Sequence, residues 1–199
     1  MKKGFTLAEL LVTLGIIGVI SALTLPSLIN NVTDAKIGPS LAKAVAIFDQ
    51  ANKALLAEEE VDALSDLITL EVGTDVSEYW GKLANYMIID INGIEAFSEE
   101  GFNYQIVPNS DTVGMVASST PHLQEFTTCT IDINNRENKP NTFGVDKFKF
   151  KVMNDGSLQP WGANGEWKEK CPIGIVDSEE GYQYCAGHIF ENGLKVLYE

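Results

Sequence analysis

Basic side chains are scarce in this chain. Among 199 residues there are 14 Lys plus Arg against 28 Asp plus Glu, a formal net charge of −14, and Arg136 is the single arginine. Nucleic-acid binding rests on neutralising phosphates with Lys and Arg. The densest basic cluster here is Lys147, Lys149 and Lys151, which argues against a nucleic-acid partner. Histidine is almost absent as well, with only His122 and His188. No G-x-S-x-G, H-E-x-x-H, G-x-x-x-x-G-K-[ST] or C-x-x-C string occurs, and the scattered acids single out no pair, so the chain reads as a non-enzyme. His122, next to Pro121, reads as a loop residue, and His188 falls among expected strand neighbours; neither is given a role. Apolar residues, by contrast, make up 45% of the chain and the mean hydropathy is zero. An acidic disordered tail combines high charge with low hydrophobicity, so that class is excluded.

The most informative absence is local. Between Glu9 and Asp34 lie 24 residues without a charge. From Leu10 to Ile29 the run is apolar apart from Thr13, Gly15, Gly18, Ser21, Thr24, Pro26 and Ser27. Counted from Phe5 to Ile29 it has 25 residues. As a helix rising ~1.5 Å per residue it would cover roughly 37 Å, more than the about 30 Å of a bilayer core. Lys2 and Lys3 precede it, so the positive-inside rule keeps the N-terminus cytoplasmic and sends residues 30–199 across the membrane. An ordinary cleaved signal peptide, cut near Ser21 and Ala22, is the alternative. Two details oppose it. Glu9 stands at the start of the apolar run, where an ionised group is costly and needs a partner. The run also continues into a second helical pattern, with Leu41, Val45, Phe48 and Leu55 at i, i+4, i+7 and i+14 and Ala44, Ile47, Ala51 and Ala54 beside them.

Met1-Lys2-Lys3-Gly4-Phe5-Thr6-Leu7-Ala8-Glu9-Leu10 resembles the leader and processing site of type IV prepilins and of type II secretion pseudopilins. A short basic leader ending in Gly4, then Phe5, Glu9, an apolar run of about twenty residues and Pro26 near its end all occur together. The resemblance covers residues 1–57. It implies a membrane-embedded prepilin peptidase that cuts between Gly4 and Phe5 and methylates the new Phe5 amine. It also implies assembly with other copies or related pilin-like subunits by inner-membrane machinery. The Phe5 ammonium and Glu9 carboxylate would be neighbours at i and i+4 within one chain, or would pair between successive subunits and set the axial register. Gly15, Gly18, Ser21 and Ala22 let helices approach closely, and Pro26 permits local bending, although Gly and Pro are also common in membrane helices generally.

The expected organisation is a leader at 1–4, a transmembrane and assembly helix at 5–29, an amphipathic continuation at 30–58, bent at Pro26 and at Pro39, and a head at 59–199. Helical spacing recurs over Asp62–Val72 and Ser77–Ile89, the latter with a core stripe of Trp80, Leu83, Ala84 and Met87. From Gly101 onward the pattern is one of strands. Lys147, Lys149 and Lys151 alternate with Phe148, Phe150 and Val152, giving a strand with a solvated lysine face, followed by a turn at Asn154-Asp155-Gly156 and a return over Ser157–Trp161. Further strands are expected at Tyr104–Val107, Val113–Ser118, Glu125–Ile133, Tyr184–Phe190 and Leu194–Tyr198. Helices followed by strands give an α+β fold, a long helix packed on a head with an antiparallel sheet.

In an extracytoplasmic head disulfides are allowed. Cys171 with Cys185 is favoured, resembling the C-terminal disulfide loop of many pilins, and leaves Cys129 as a buried strand thiol. Pairing of Cys129 with either partner stays open, since sequence does not set connectivity. Asp132 and Asn134 are spaced like the first two ligands of an oxygen-donor loop, with Asn141 and Asp146 close behind, a set that calcium would suit. The EF-hand pattern is not met, and Asx turns capping loop backbone are the alternative, as they are at Asp90, Asn92 and Gly93. No other cofactor is expected. The expected function is a filament subunit, of pilus or secretion pseudopilus, that begins as a single-pass inner-membrane precursor with an extracytoplasmic head. A membrane-anchored extracytoplasmic binding module, using the same helix only as a tether, is the rival.

Overall fold

A computed structural model of the chain describes residues 7–68, 76–107, 125–134, 138, 141–171 and 183–194, with the side chains of residues 24–35, 107 and 170 outside that description. Gly4, Phe5, His122, the strand expected at Val113–Ser118 and all but the first residue of Leu194–Tyr198 lie outside the described residues. The chain divides into two compact units, residues 1–36 and 37–199. A single helix, α1 (Leu7–Glu58), contributes to both.

In the first unit, every described side chain from Leu7 to Ile20 is exposed, so helical hydrogen bonding and not burial defines the element. The second unit is where α1 packs. Ile37, Leu41, Ala44, Phe48, Ala51 and Leu55 are buried, at alternating steps of four and three that make one stripe. Fully burying a Leu or Phe side chain contributes about 1.5–3 kcal/mol. The stripe therefore holds this half of the helix far more firmly than propensity could. The helix ends at Glu58 by a Schellman-type closure, with Glu60 in the left-handed region (φ 55°) and the Val61 amide donating to the Leu56 carbonyl at 3.1 Å. α1 continues through Gly38 and Pro39. A Cβ on Gly38 would collide with the Leu194 backbone carbonyl, so close packing requires glycine at a step where the local X-Pro preference opposes helix.

A 3-10 turn (Leu64–Asp66) and a short helix, α2 (Ser77–Leu83), follow. Six strands then form one antiparallel meander in chain order: β1 (Ile89–Asn92), β2 (Glu95–Ser98), β3 (Asn103–Val107), β4 (Glu125–Asp132), β5 (Lys147–Met153) and β6 (Leu158–Pro160). Register settles which residues share a face. Tyr104, Ile131 and Phe148 lie in one row, Ile106, Cys129 and Phe150 in the next, and all are fully buried in the core with the α1 stripe. Tyr104 ties the layers together, its hydroxyl donating to the Ala44 carbonyl at 3.0 Å and its ring stacked on Phe48 at 5.4 Å. The β5–β6 turn has Gly156 at φ 79°, against Asn52 of α1, where a Cβ would come within 2.9 Å. Beyond β6 come α3 (Trp167–Lys170) and α4 (Cys185–Glu191).

The α+β class with an antiparallel sheet is as expected, and four differences are local. The sheet begins at Ile89, well before Gly101, so the helix expected over Ser77–Ile89 stops at Leu83. The Trp80, Leu83 and Met87 stripe is nonetheless core, although Ala84 is exposed. Only one 3-10 turn forms in the described part of Asp62–Val72. Tyr184–Phe190 is not a strand. Buried Cys185, Ala186 and Ile189 make a helical face as readily as alternation makes a strand face, and the tertiary contact decides: a Cβ on Gly187 would collide with the Gly162 backbone, and the Gly187 amide donates to the Trp161 carbonyl at 3.0 Å. Finally, Lys147, Lys149 and Lys151 are half-buried rather than solvated, because Lys149 and Lys151 lie over the Trp161 ring at 4.1 and 5.1 Å.

Candidate functional site

Among the described side chains of α1, exposed apolar area is concentrated before residue 24. Leu10, Leu11, Val12, Leu14, Ile16, Ile17, Val19 and Ile20 are between 54% and 63% exposed, and they occupy every side of the helix. A helix apolar all round is stable only inside a protein core or a bilayer, or against other helices. One of its polar groups, that of Thr13, is used internally. The Thr13 hydroxyl donates back to the Glu9 and Leu10 carbonyls at 3.0 and 2.9 Å, leaving the surface apolar. Gly15 and Gly18 have nothing within 4 Å of where a Cβ would stand, so a second backbone could approach there. Glu9 sits in the first turn, where the helix macrodipole favours an anion. Pro26 lies within α1.

The start of this helix falls within a segment that matches a family model. Residues 1–25 match the family model of the prokaryotic N-terminal methylation motif. The chain carries the type IV prepilin-like signal. The motif supports a type IV pilin-like or pseudopilin precursor. It spans residues 1–4, Glu9 and the apolar run as far as residue 25, just short of Pro26, and none of the sheet unit. No curated protein and no solved structure matches the chain. Among the described residues no helix is long and apolar enough to cross a membrane. Of the expected 5–29 span, residues 5 and 6 and the side chains from 24 onward lie outside the description.

In the sheet unit, Cys171 and Cys185 are disulfide-bonded with Cα atoms 5.0 Å apart, and Cys129 is a free, fully buried thiol in β4. Burial pushes the pKa of the Cys129 thiol well up, which favours the protonated thiol over the thiolate at neutral pH. Asp132, Asn134, Asn141 and Asp146 do come together. Asp146 accepts hydrogen bonds from the Asn141 and Thr142 amides at 2.7 and 2.6 Å and from Asn134 Nδ2 at 3.1 Å, while Asp132 Oδ1 accepts the Asn134 amide at 3.1 Å. The loop thus uses these carboxylate oxygens as caps for its own backbone. Among the described residues no group of three or more His, Cys, Asp or Glu is placed to hold a metal. Asp132, 3% exposed, has its pKa raised by burial and by the neighbouring Asp146, against the Asn134 amide and Lys147, which lower it.

Glu95, Asn103 and Gln105 were not singled out by sequence. They line a cavity of about 280 Å³ with Thr130, Asp132, Asn141 and Lys147. No spacing rule could have joined them, because strand register across β2 to β5 is what makes them neighbours.

Proposed function

We propose that the chain is a structural subunit of a filament, a type IV pilus-like fibre or a type II secretion pseudopilus. The supporting observation is the prepilin-like signal at residues 1–25 coinciding with a helix that is apolar and exposed on all sides. In this reading the precursor sits in the inner membrane with its sheet unit outside the cytoplasm. Prepilin peptidase cuts between Gly4 and Phe5 and methylates Phe5, and the subunit then leaves the bilayer to pack helix against helix. The Phe5 ammonium of one subunit meets Glu9 of another. Removing either partner would leave the other charge buried and unpaired, at a cost of about 3–5 kcal/mol. The role is mechanical: the chain is not an enzyme and carries no cofactor, and other proteins do the chemistry on it.

Two variants test this. Replacing Gly4 by a larger residue is expected to leave Lys2 and Lys3 attached and to abolish filaments; an intact mass showing normal cleavage and methylation refutes the processing step. Glu9→Leu is expected to insert and be cleaved normally yet assemble poorly, as read by electron microscopy of sheared surface material. Full function of Glu9→Leu would instead favour a membrane-tethered binding module.

A further inference from the structure

The outward face of the sheet carries a cavity that the filament reading does not use. Two cross-strand rows make its floor: Asn103, Asp132 and Lys147 in one, Glu95, Gln105 and Thr130 in the other, with Asn141 added from the loop before β5. Every lining residue is polar. Several are nonetheless deeply buried: Asp132 is 3% exposed, Asn103 5%, Thr130 8% and Glu95 9%. Asn103 is the telling one, because its Oδ1 is buried with no hydrogen-bond partner among the described residues. An orphaned buried acceptor is costly unless something donates to it.

The chemistry of the lining selects the ligand. Glu95 and Asp132 stand two strands apart and are staggered by two residues. At ~4.8 Å per strand and ~3.4 Å per residue their Cα atoms lie about 12 Å apart, and among the described residues no group of three or more His, Cys, Asp or Glu is placed to hold a metal ion. Lys147, directly across from Asp132, repels a cationic ligand at that end, and the two carboxylates repel an anionic one. What remains is a neutral molecule offering several donors to Glu95, Asn103 Oδ1 and Asp132 while accepting from Lys147, Thr130 and the side-chain amides. Hydroxyl groups do both at once. The volume, about 280 Å³, falls just below the ~300–1,000 Å³ typical of drug-sized ligand sites, which suits a smaller ligand.

We propose that this cavity is a binding site for a neutral polyhydroxylated ligand the size of one sugar ring. The site stands independently of whether the chain forms filaments. The test is saturation-transfer NMR on the full chain in a detergent without a sugar headgroup, with D-glucose, D-galactose, D-mannose and N-acetyl-D-glucosamine as probes and 1,4-diaminobutane as a control, while Ca²⁺, which has no protons to receive saturation, is tested by the shifts it causes in the chain's own amide spectrum. At least one sugar is expected to receive saturation, and its binding is expected to weaken at least about tenfold in Asn103→Leu and in Asp132→Asn. Gln105→Ala serves as a third variant should Asn103→Leu fail to fold, and is expected to weaken binding likewise. Absence of transfer to all four sugars overturns the proposal. So does sugar binding unchanged in the folded variants, or a response to Ca²⁺ or the diamine alone.

Discussion

Phe48→Ala tests whether the second half of α1 is the core of the sheet unit. Phe48 is fully buried, stacks on Tyr104 at 5.4 Å, and meets Trp80 and Tyr79 edge-on at 6.0 and 6.5 Å. Truncating a buried Phe to Ala typically costs about 3–5 kcal/mol from lost transfer energy and the cavity left behind. Each favourable ring pair contributes about 0.5–1.5 kcal/mol beyond area, so three pairs put this site toward the upper end. Set against a typical total of ~5–15 kcal/mol, the variant should lose a large part of its stability. At roughly 2–4 °C per kcal/mol for a domain of this size, the thermal midpoint should fall on the order of 10 °C. Urea denaturation of the full chain in micelles, followed by Trp fluorescence, measures it. Leu11→Ala is the control: Leu11 is 61% exposed and should leave the transition where it was. A loss below about 1 kcal/mol for Phe48→Ala would refute the assignment of α1 residues 37–58 to the core.

Two other outcomes follow from the same unit. Reducing the Cys171–Cys185 bond, or replacing both with Ser, removes a loop with a sequence separation of 14. That should lower stability by about 3 kcal/mol on the chain-entropy estimate. Under native conditions an alkylating reagent should meanwhile leave Cys129 unmodified, and mass spectrometry with and without denaturant reads it. His188, 2% exposed beneath the Trp167 ring, has its pKa lowered by burial, against the opposing pull of Glu191. The unfolded chain therefore takes up this proton first. Stability should be full above the unfolded value of about 6.5 and decline as pH falls below it toward the folded pKa. Unfolding free energies between pH 5 and 7 should lose this part of their slope in His188→Leu; an unchanged slope would show that His188 is not its source.

Much of the molecule was legible from local pattern alone. A 24-residue gap in charge, flanked by Lys2, Lys3 and Glu9, needs no tertiary information, since the solvent that the helix requires is encoded in its own side chains. The alternation of Lys and apolar residues in β5 and the Asn154-Asp155-Gly156 turn are likewise periodicities of a single segment. Where two periods fit one stretch, sequence could not decide. Cys185–Glu191 became a helix because Gly187 meets the Gly162 backbone, a contact made 25 residues away along the chain. Gly38 stayed helical for the same kind of reason, the approach of Leu194. Local preferences of a fraction of a kcal/mol yield to packing worth several.

The amino-acid sequence by itself determined the processing signal, the apolar spine and the alternation that makes a two-faced sheet, because each depends on side chains within a few positions of one another. Tertiary structure alone decided which outward-facing residues share a cavity. Glu95, Asn103, Thr130, Asp132 and Lys147 come from four strands, and only their hydrogen-bonded register brings a buried amide oxygen, unsatisfied among the described residues, between two carboxylates and a lysine. A one-residue slip of any strand would turn its contribution to the opposite face, so that arrangement exists in the fold and nowhere in the linear chain.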